Sequence, residues 1–238
     1  MSLAARLLNV FAVPGQVFND VKTAPSSISN WLIPALLGGL IGAVSVFIIL
    51  SQPKVQKQFQ DRQSKLLEEA ARNSKFNQTH RQWAETLTTP ATIRLLGTAG
   101  AACGSFLTVL WWGFVLWLLA RRMLKVPIKF RKALEVAGLA TMIDVLGGIV
   151  IVLLIVNLGR HGSTSSLAFV VKDLDMTTRR PLFVAAVNLF AFWVVGVRSI
   201  GLAKLTEVPY VRAAWLVVTF WLLQQCFFSL TGLGQLAI

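Results

Sequence analysis

Charged residues are scarce in this chain of 238 residues. They make up 14% of the sequence, whereas 55% of the side chains are apolar and the mean hydropathy is +0.66. A soluble globular protein carries about 25% charged residues, because much of its surface faces water. The composition therefore excludes an ordinary soluble domain and indicates a protein whose solvent is the lipid bilayer.

Cysteine and histidine are also rare, with two residues of each. Cys103 and Cys226 fall in apolar stretches, where neither a disulfide framework nor a metal cluster is expected, and His80 and His161 stand alone. The sequence contains no HExxH, GxSxG or Gly-rich phosphate-loop motif. We therefore predict no catalytic residues, no cofactor and no metal, and a protein that is not an enzyme.

Long apolar runs dominate what is present. A helix needs about 20 residues to cross a hydrocarbon core of about 30 Å, and five stretches have this length. Each run is continuous rather than alternating, which favours helices over the strands of a β-barrel. The sequence predicts an all-α integral membrane protein built as a five-transmembrane-helix bundle. Its spans are expected at about 31–50, 95–120, 136–158, 182–202 and 213–233.

Residues 1–30 form a cytoplasmic amphipathic segment ahead of a membrane domain at 31–238. Apolar residues recur there at helical spacing on both sides of Pro14. Such a segment either lies in the membrane interface as a short helix or caps the bundle, and both alternatives are open. No signal-peptide cleavage site follows the first span, so we expect that span to be retained. The apolar positions are Leu3, Leu7, Leu8, Phe11, Val17, Phe18 and Val21.

The loop Arg121–Lys132 holds six cations and no acid. A high density of Lys and Arg marks a cytoplasmic loop, so an odd number of spans places the N-terminus inside and the C-terminus outside. Residues 51–91, with seven Lys/Arg and four Asp/Glu, are then predicted to form an extracytoplasmic helical hairpin. The net charge of +13 points to anionic lipid headgroups as partners and not to nucleic acid. The six cations are Arg121, Arg122, Lys125, Lys129, Arg131 and Lys132.

Three ionisable residues near or within the predicted spans are the candidate functional residues: Asp144, Arg198 and Glu135. Counted along the helices, Arg198 can reach the headgroups or meet Glu135, and reaches Asp144 only at full stretch. Asp144 has three possible roles: a neutral hydrogen-bonded structural group, an ion-pair partner of Arg198, or a group that handles a proton or substrate.

Small residues spaced four apart also occur in the predicted spans, where they let helix backbones approach closely. They serve either internal packing or a homodimer interface, so a homo-oligomer stays possible. The pairs are Gly38 with Gly42, Gly97 with Ala101, and Gly100 with Gly104.

Two segments carry a family resemblance. Near the start stands RLLNVFAVPGQVFNDVKTAP, which resembles the entry of the Yip-one domain, the membrane proteins named for binding Ypt/Rab GTPases. Near the end stands FWVVGVRSIGLAKLTEVPYVRAAWLVVTFWLL, which is similar to the last two spans of that domain. The resemblance implies five spans with the N-terminus in the cytoplasm. The long N-terminal region of eukaryotic members, with its Asp-Leu-Tyr-Gly-Pro-like motif, has no counterpart, so Rab binding does not carry over. The chain resembles the prokaryotic branch.

Two functions fit these observations. The first is a non-enzymatic scaffold or adaptor for membrane organisation or protein trafficking, which contacts anionic lipid and other membrane proteins through the basic loop and the N-terminal segment. The alternative is a small transporter or permease subunit that uses Asp144 near the bilayer midplane. The expected location is the bacterial cytoplasmic (inner) membrane.

Overall fold

The computed structural model describes residues 1–51, 89–158 and 189–231. Helices and the turns that join them account for these residues, and no strand occurs among them, so the all-α prediction is confirmed. The helices are α1 (Leu3–Asn9), α2 (Pro14–Thr23), α3 (Ser29–Leu50), α4 (Pro90–Leu118), α5 (Phe130–Leu158), α6 (Leu189–Thr206) and α7 (Tyr210–Thr231).

Five of these helices, α3 to α7, are long and apolar enough to cross a membrane, as predicted. Several begin outside the apolar runs. The predicted third span starts at residue 136, for example, whereas α5 already begins at Phe130, because hydropathy marks the lipid-facing length and a helix continues past it into the polar region. Most of the predicted hairpin at 51–91, the start of the predicted fourth span and the C-terminal tail lie outside the described residues.

Helix α5 is the central span, since it packs against α3, α4 and α6. Every residue from 133 to 141 is buried, so this part of the helix is covered on all sides. Small side chains make that possible, because neighbouring helices can approach closely wherever alanine or glycine faces them. At Gly138, an added Cβ would collide with the Cα of Trp31 at the start of α3.

Small residues also line the contact between α3 and α4, where Gly38 faces Ser105 and Gly42 faces Ala101. These residues therefore serve internal packing, one of the two predicted uses. Gly100 and Gly104 differ, because a Cβ built at either position meets no atom of the described chain within 4 Å.

The N-terminal segment packs on the bundle. Helix α2 lies against α6 and α5, and its apolar residues Val17, Phe18 and Val21 are fully buried. The capping alternative of the sequence analysis is thus the one the structure shows. The buried face of α1 differs from the predicted one. Leu8, which was predicted to lie on this face, is 71% exposed, and Val10, which was not, is fully buried.

Two helices end on left-handed residues at the same end of the molecule. Lys125 (φ 57°) follows the π-helical turn Leu119–Met123 that extends α4, and Glu207 (φ 59°) follows α6. A residue with positive φ turns the chain out of the helix. After Glu207, the ring of Pro209 also prevents α6 from continuing. The Arg121–Lys132 loop, the start of α3 and the junction between α6 and α7 share this end with α1 and α2; we call it the basic end.

Candidate functional site

A cavity of about 400 Å³, lined by apolar residues and several polar ones, lies where the five spans meet, near the middle of each helix. Each span contributes at least two lining residues, so the cavity is formed by the bundle as a whole and not by one helix pair. Polar side chains at this depth are costly in a bilayer and usually mark an internal pair or a functional site. The polar lining consists of Ser105, Thr108, Thr141, Asp144, Arg198 and Gln224.

Asp144 and Arg198 form an ion pair in this cavity. Arg198 donates from Nη2 to Oδ2 of Asp144 at 3.3 Å, and its guanidinium lies over the ring of Trp112 at 4.3 Å from the centroid. The two partners differ in exposure: the Arg198 side chain is 4% exposed and that of Asp144 is 42% exposed. Arg198 is therefore held by packing and cation–π contact, while the Asp144 carboxylate faces open space.

Two hydroxyls of the cavity already have partners within the bundle. Ser105 donates to the carbonyl of Ala35 at 2.9 Å, and Thr141 donates to that of Ala137 at 3.0 Å. Arg198 Nε, in contrast, is buried without a hydrogen-bond partner among the described residues. The carboxylate of Asp144 is consequently the strongest accessible acceptor that this cavity offers.

Glu135, the third candidate, lies apart from the other two at the basic end. Asn30 donates from Nδ2 to its Oε2 at 2.5 Å, and the ammonium of Lys132 lies 3.5 Å from its Oε1. Glu135 and Asn30 are each 1% exposed. The structure thus brings Arg198 to Asp144 and not to Glu135. The prediction counted depth along each helix separately. It did not include the offset between α5 and α6 along the bundle axis, and this offset decides which side chains meet.

The Glu135 contacts continue into the N-terminal helices. Arg6 donates from Nη1 to Oδ1 of Asn30 at 3.1 Å and from Nε to Oδ2 of Asp20 at 2.8 Å. Lys132 donates to two main-chain carbonyls at the end of α2, that of Val21 at 2.5 Å and that of Ala24 at 2.7 Å. We call this connected set, Arg6, Asp20, Asn30, Lys132 and Glu135, the N-terminal latch.

Asp20 holds the outer end of the latch. Hydrogen bonds from the terminal amine of Met1 and from Arg6 lower the pKa of the Asp20 carboxyl, so it is ionised at neutral pH. Of the two buried oxygens of Glu135, Oε2 accepts the hydrogen bond from Asn30, whereas Oε1 has no hydrogen-bond partner among the described residues and is compensated only by the charge of the Lys132 ammonium. The latch therefore fixes α1 and α2 to α3 and α5 with directional contacts in addition to apolar packing.

Comparison with known families places this fold. The model of the Yip1 domain matches residues 8–233, nearly the whole chain. This chain belongs to the Yip1 domain family. No curated protein and no solved structure matches it. The family and the five apolar helices together make the chain an integral multi-pass membrane protein.

The residues that the Yip1 domain matches include the Asp144–Arg198 ion pair and most of the N-terminal latch. The ion pair and all latch residues except Arg6 lie within the matched region. The resemblance seen in the two sequence segments is thus confirmed over the whole domain, including α2 and the central span α5.

The basic loop of this Yip1 domain divides into two parts. Five cations are exposed, and the guanidinium of Arg121 lies 5.4 Å from the ring centroid of Trp117. Lys132 instead points inward and belongs to the N-terminal latch. Five of the six predicted lipid-facing cations are therefore exposed, and the sixth has a structural contact. The exposed five are Arg121, Arg122, Lys125, Lys129 and Arg131.

Sequence reasoning missed the latch. The sequence analysis did not single out Arg6 and Asp20, because charges in an amphipathic segment usually face solvent, and Asn30 precedes the first apolar run. Their partners lie far along the chain: Asn30 and Glu135 are 105 residues apart. One signal was available in the sequence, because Arg6 is three residues after Leu3 and four before Val10 and so shares a helix face with two apolar residues.

Proposed function

We propose that this Yip1 domain protein is a non-enzymatic scaffold or adaptor that gathers anionic lipid and other membrane proteins at its basic end. The observation that supports the proposal is the N-terminal latch, which joins α1 and α2 to the starts of α3 and α5 beside the exposed cations of the loop. In the proposed orientation this surface faces the cytoplasm, the C-terminus lies outside, and the membrane is the bacterial inner membrane. The positive-inside rule supports that orientation.

The basic end also offers a place for a partner to dock. A cleft of about 590 Å³ lies between α2 and the junction of α6 with α7. Lys22 and Glu207 form a salt bridge across it, and Lys204 and Tyr210 line it. The cleft thus combines charged groups of both signs with the apolar residues Ile200, Ala203 and Val208. This composition suits a protein segment better than lipid tails.

The test of this proposal is to neutralise the basic loop. Replacing Arg121, Arg122, Lys125 and Lys129 by Gln should lower the anionic lipid that co-purifies from native membranes by roughly tenfold or more, since each cation near an anionic surface contributes about 1 kcal/mol. We also expect the Gln variant to lose its co-purifying membrane proteins. Lipid is measured by mass spectrometry of the purified protein, and proteins by quantitative proteomics.

The matched control replaces each Arg by Lys and each Lys by Arg at the same four positions, which keeps the charge. That control should retain both lipid and proteins. Thiol labelling of a cysteine at Leu236 in intact cells checks that the Gln variant keeps its orientation. If the Gln variant is correctly oriented and still binds lipid and proteins as the control does, the basic loop is not the docking surface and the proposal is wrong.

A second candidate, a small transporter or permease subunit, is favoured by the mid-span cavity with its exposed carboxylate at Asp144. The discriminating change is Asp144→Asn, which keeps the shape and removes the titratable charge. A scaffold should tolerate it, whereas a proton-coupled transporter should lose flux completely. Proton movement into proteoliposomes is followed with a pH-sensitive dye.

The ion pair requires one further variant. Asp144→Asn leaves the charge of Arg198 uncompensated, so a loss of stability has to be separated from a loss of transport. The double variant with Arg198→Gln removes both charges and should restore stability if the two compensate each other. We expect wild type and both variants to show the same proton permeability. A proton flux that only the wild type supports, with all three folded, would favour the transporter.

A further inference from the structure

An apolar groove of about 710 Å³ opens on the outside of the bundle between α4 and α7. These helices approach mainly through side chains: Phe220 contacts Trp111 and Trp112, at 6.2 Å and 6.0 Å between ring centroids. Helix α7 packs instead on α6, which leaves the groove open to the side. Leu107 and Leu223, which line it, are 66% and 64% exposed.

The groove lies beside the mid-span cavity. Thr108, Trp112 and Gln224 line both, so the apolar groove and the cavity with the ion pair are neighbours that share a wall. Gln224 is held in place there, because its Oε1 accepts a hydrogen bond from Trp111 Nε1 at 3.0 Å. A molecule could therefore lie with an apolar chain in the groove and a polar end in the cavity, entering sideways from the bilayer.

The chemistry of the cavity selects the polar end. The charges of Asp144 and Arg198 balance each other, and a charged headgroup would be costly near the middle of a span. A cationic amine would also meet the Arg198 guanidinium, and an anion would meet the carboxylate of Asp144, the more exposed partner. A hydroxyl is neutral and can donate to that carboxylate.

We propose that the groove and the cavity together bind one neutral lipid with a free hydroxyl, such as a long-chain alcohol. Its hydroxyl donates to Asp144, and its chain lies along Leu107, Trp111, Phe220 and Leu223. The inference does not depend on the docking function of the basic end, and it requires binding only, without transport. It concerns the same cavity as the transporter candidate but names a different ligand class.

The test uses a photoactivatable long-chain alcohol with the purified full-length protein in lipid nanodiscs. We expect saturable labelling of α4 and α7 peptides that unlabelled alcohol competes away. An amine and a carboxylic acid with the same chain and photoactive group are compared, and each should label at least about fivefold less, because a charged end is costly near the middle of a span.

Two variants locate the site. Leu223→Trp fills the groove and should remove the saturable labelling, whereas Leu222→Trp, on the neighbouring residue outside the groove lining, should leave it unchanged. Replacing Asp144 and Arg198 together by Leu keeps the charge balance and should lower alcohol labelling to the level of the amine. Size-exclusion profiles establish that each variant is folded.

Three results would overturn the proposal: labelling that does not saturate, equal labelling of the two Trp variants, or stronger labelling by the amine. The first two would mean ordinary annular lipid, and the third a site for cations. The Gln variant of the basic loop should label as wild type does, so failure of the lipid site and failure of the docking surface are distinguishable.

Discussion

Replacing Lys132 by Met is expected to release the N-terminal helices from the bundle. The ammonium of Lys132 holds the carbonyls of Val21 and Ala24 and lies beside the buried carboxylate of Glu135. Its removal leaves these acceptors without that partner, and breaking a buried ion pair from one side costs about 3–5 kcal/mol. Because Lys132 is 12% exposed, we expect the lower end of that range.

The release is measured through a single cysteine at Val17, which is fully buried in wild type, in a background without Cys103 and Cys226. About 3 kcal/mol corresponds to roughly a hundredfold faster reaction with a water-soluble thiol reagent when opening and closing are fast relative to labelling. The control is Lys129→Met, which removes an exposed cation of the same loop and should leave the cysteine protected. Equal protection in both variants would show that apolar packing alone holds α2.

Replacing Gly138 by Ala should have the second large effect, because it forces apart α3 and α5. A Cβ at Gly138 would overlap the Cα of Trp31 and lie 3.0 Å from the carbonyl oxygen of Asn30. Both of these atoms belong to the main chain, which cannot rotate away as a flexible side chain can. Overpacking costs about 1–3 kcal/mol, and we expect the upper end here.

The shift should also reach the latch, since Asn30 supplies the hydrogen bond to Glu135. Thermal unfolding in detergent is the measurement, and Gly196→Ala is the control, because a Cβ at Gly196 meets nothing within 4 Å. That control should unfold at the wild-type temperature or slightly above it, since alanine favours helix over glycine by up to about 1 kcal/mol. Equal unfolding temperatures for the two variants would contradict the close contact.

The five spans could be predicted because the thickness of a bilayer sets the length of an apolar run. The apolar face of α2 could be predicted for a similar reason: Val17, Phe18 and Val21 follow the period of a helix, and periodicity is local. What lies against that face is not local. The same pattern suits a membrane interface and a bundle surface, so only the structure distinguishes them.

The polar contacts could be predicted only as a set of candidate residues. The sequence singles out Asp144, Arg198 and Glu135 because charges are rare in apolar runs. It cannot pair them, since pairing depends on the stagger and rotation of helices whose connecting segments are long. For the same reason the central position of α5 was not foreseen, although its alanines and Gly138 allow neighbours on every side.

The salt bridge between Lys22 and Glu207 has a consequence for how the protein is made. Lys22 and its partner Glu207 are 185 residues apart, so the ribosome must add that many residues before α2 can meet the end of α6. At about 5–20 residues per second this takes roughly 10–40 s. During most of that time α6, one of the two spans that cover α2, has not been made, and the lipid surface is an apolar phase within reach of Val17 and Phe18. The amphipathic pattern of the N-terminal helices therefore also suits them to lie on the membrane surface during synthesis, before the last spans have been made.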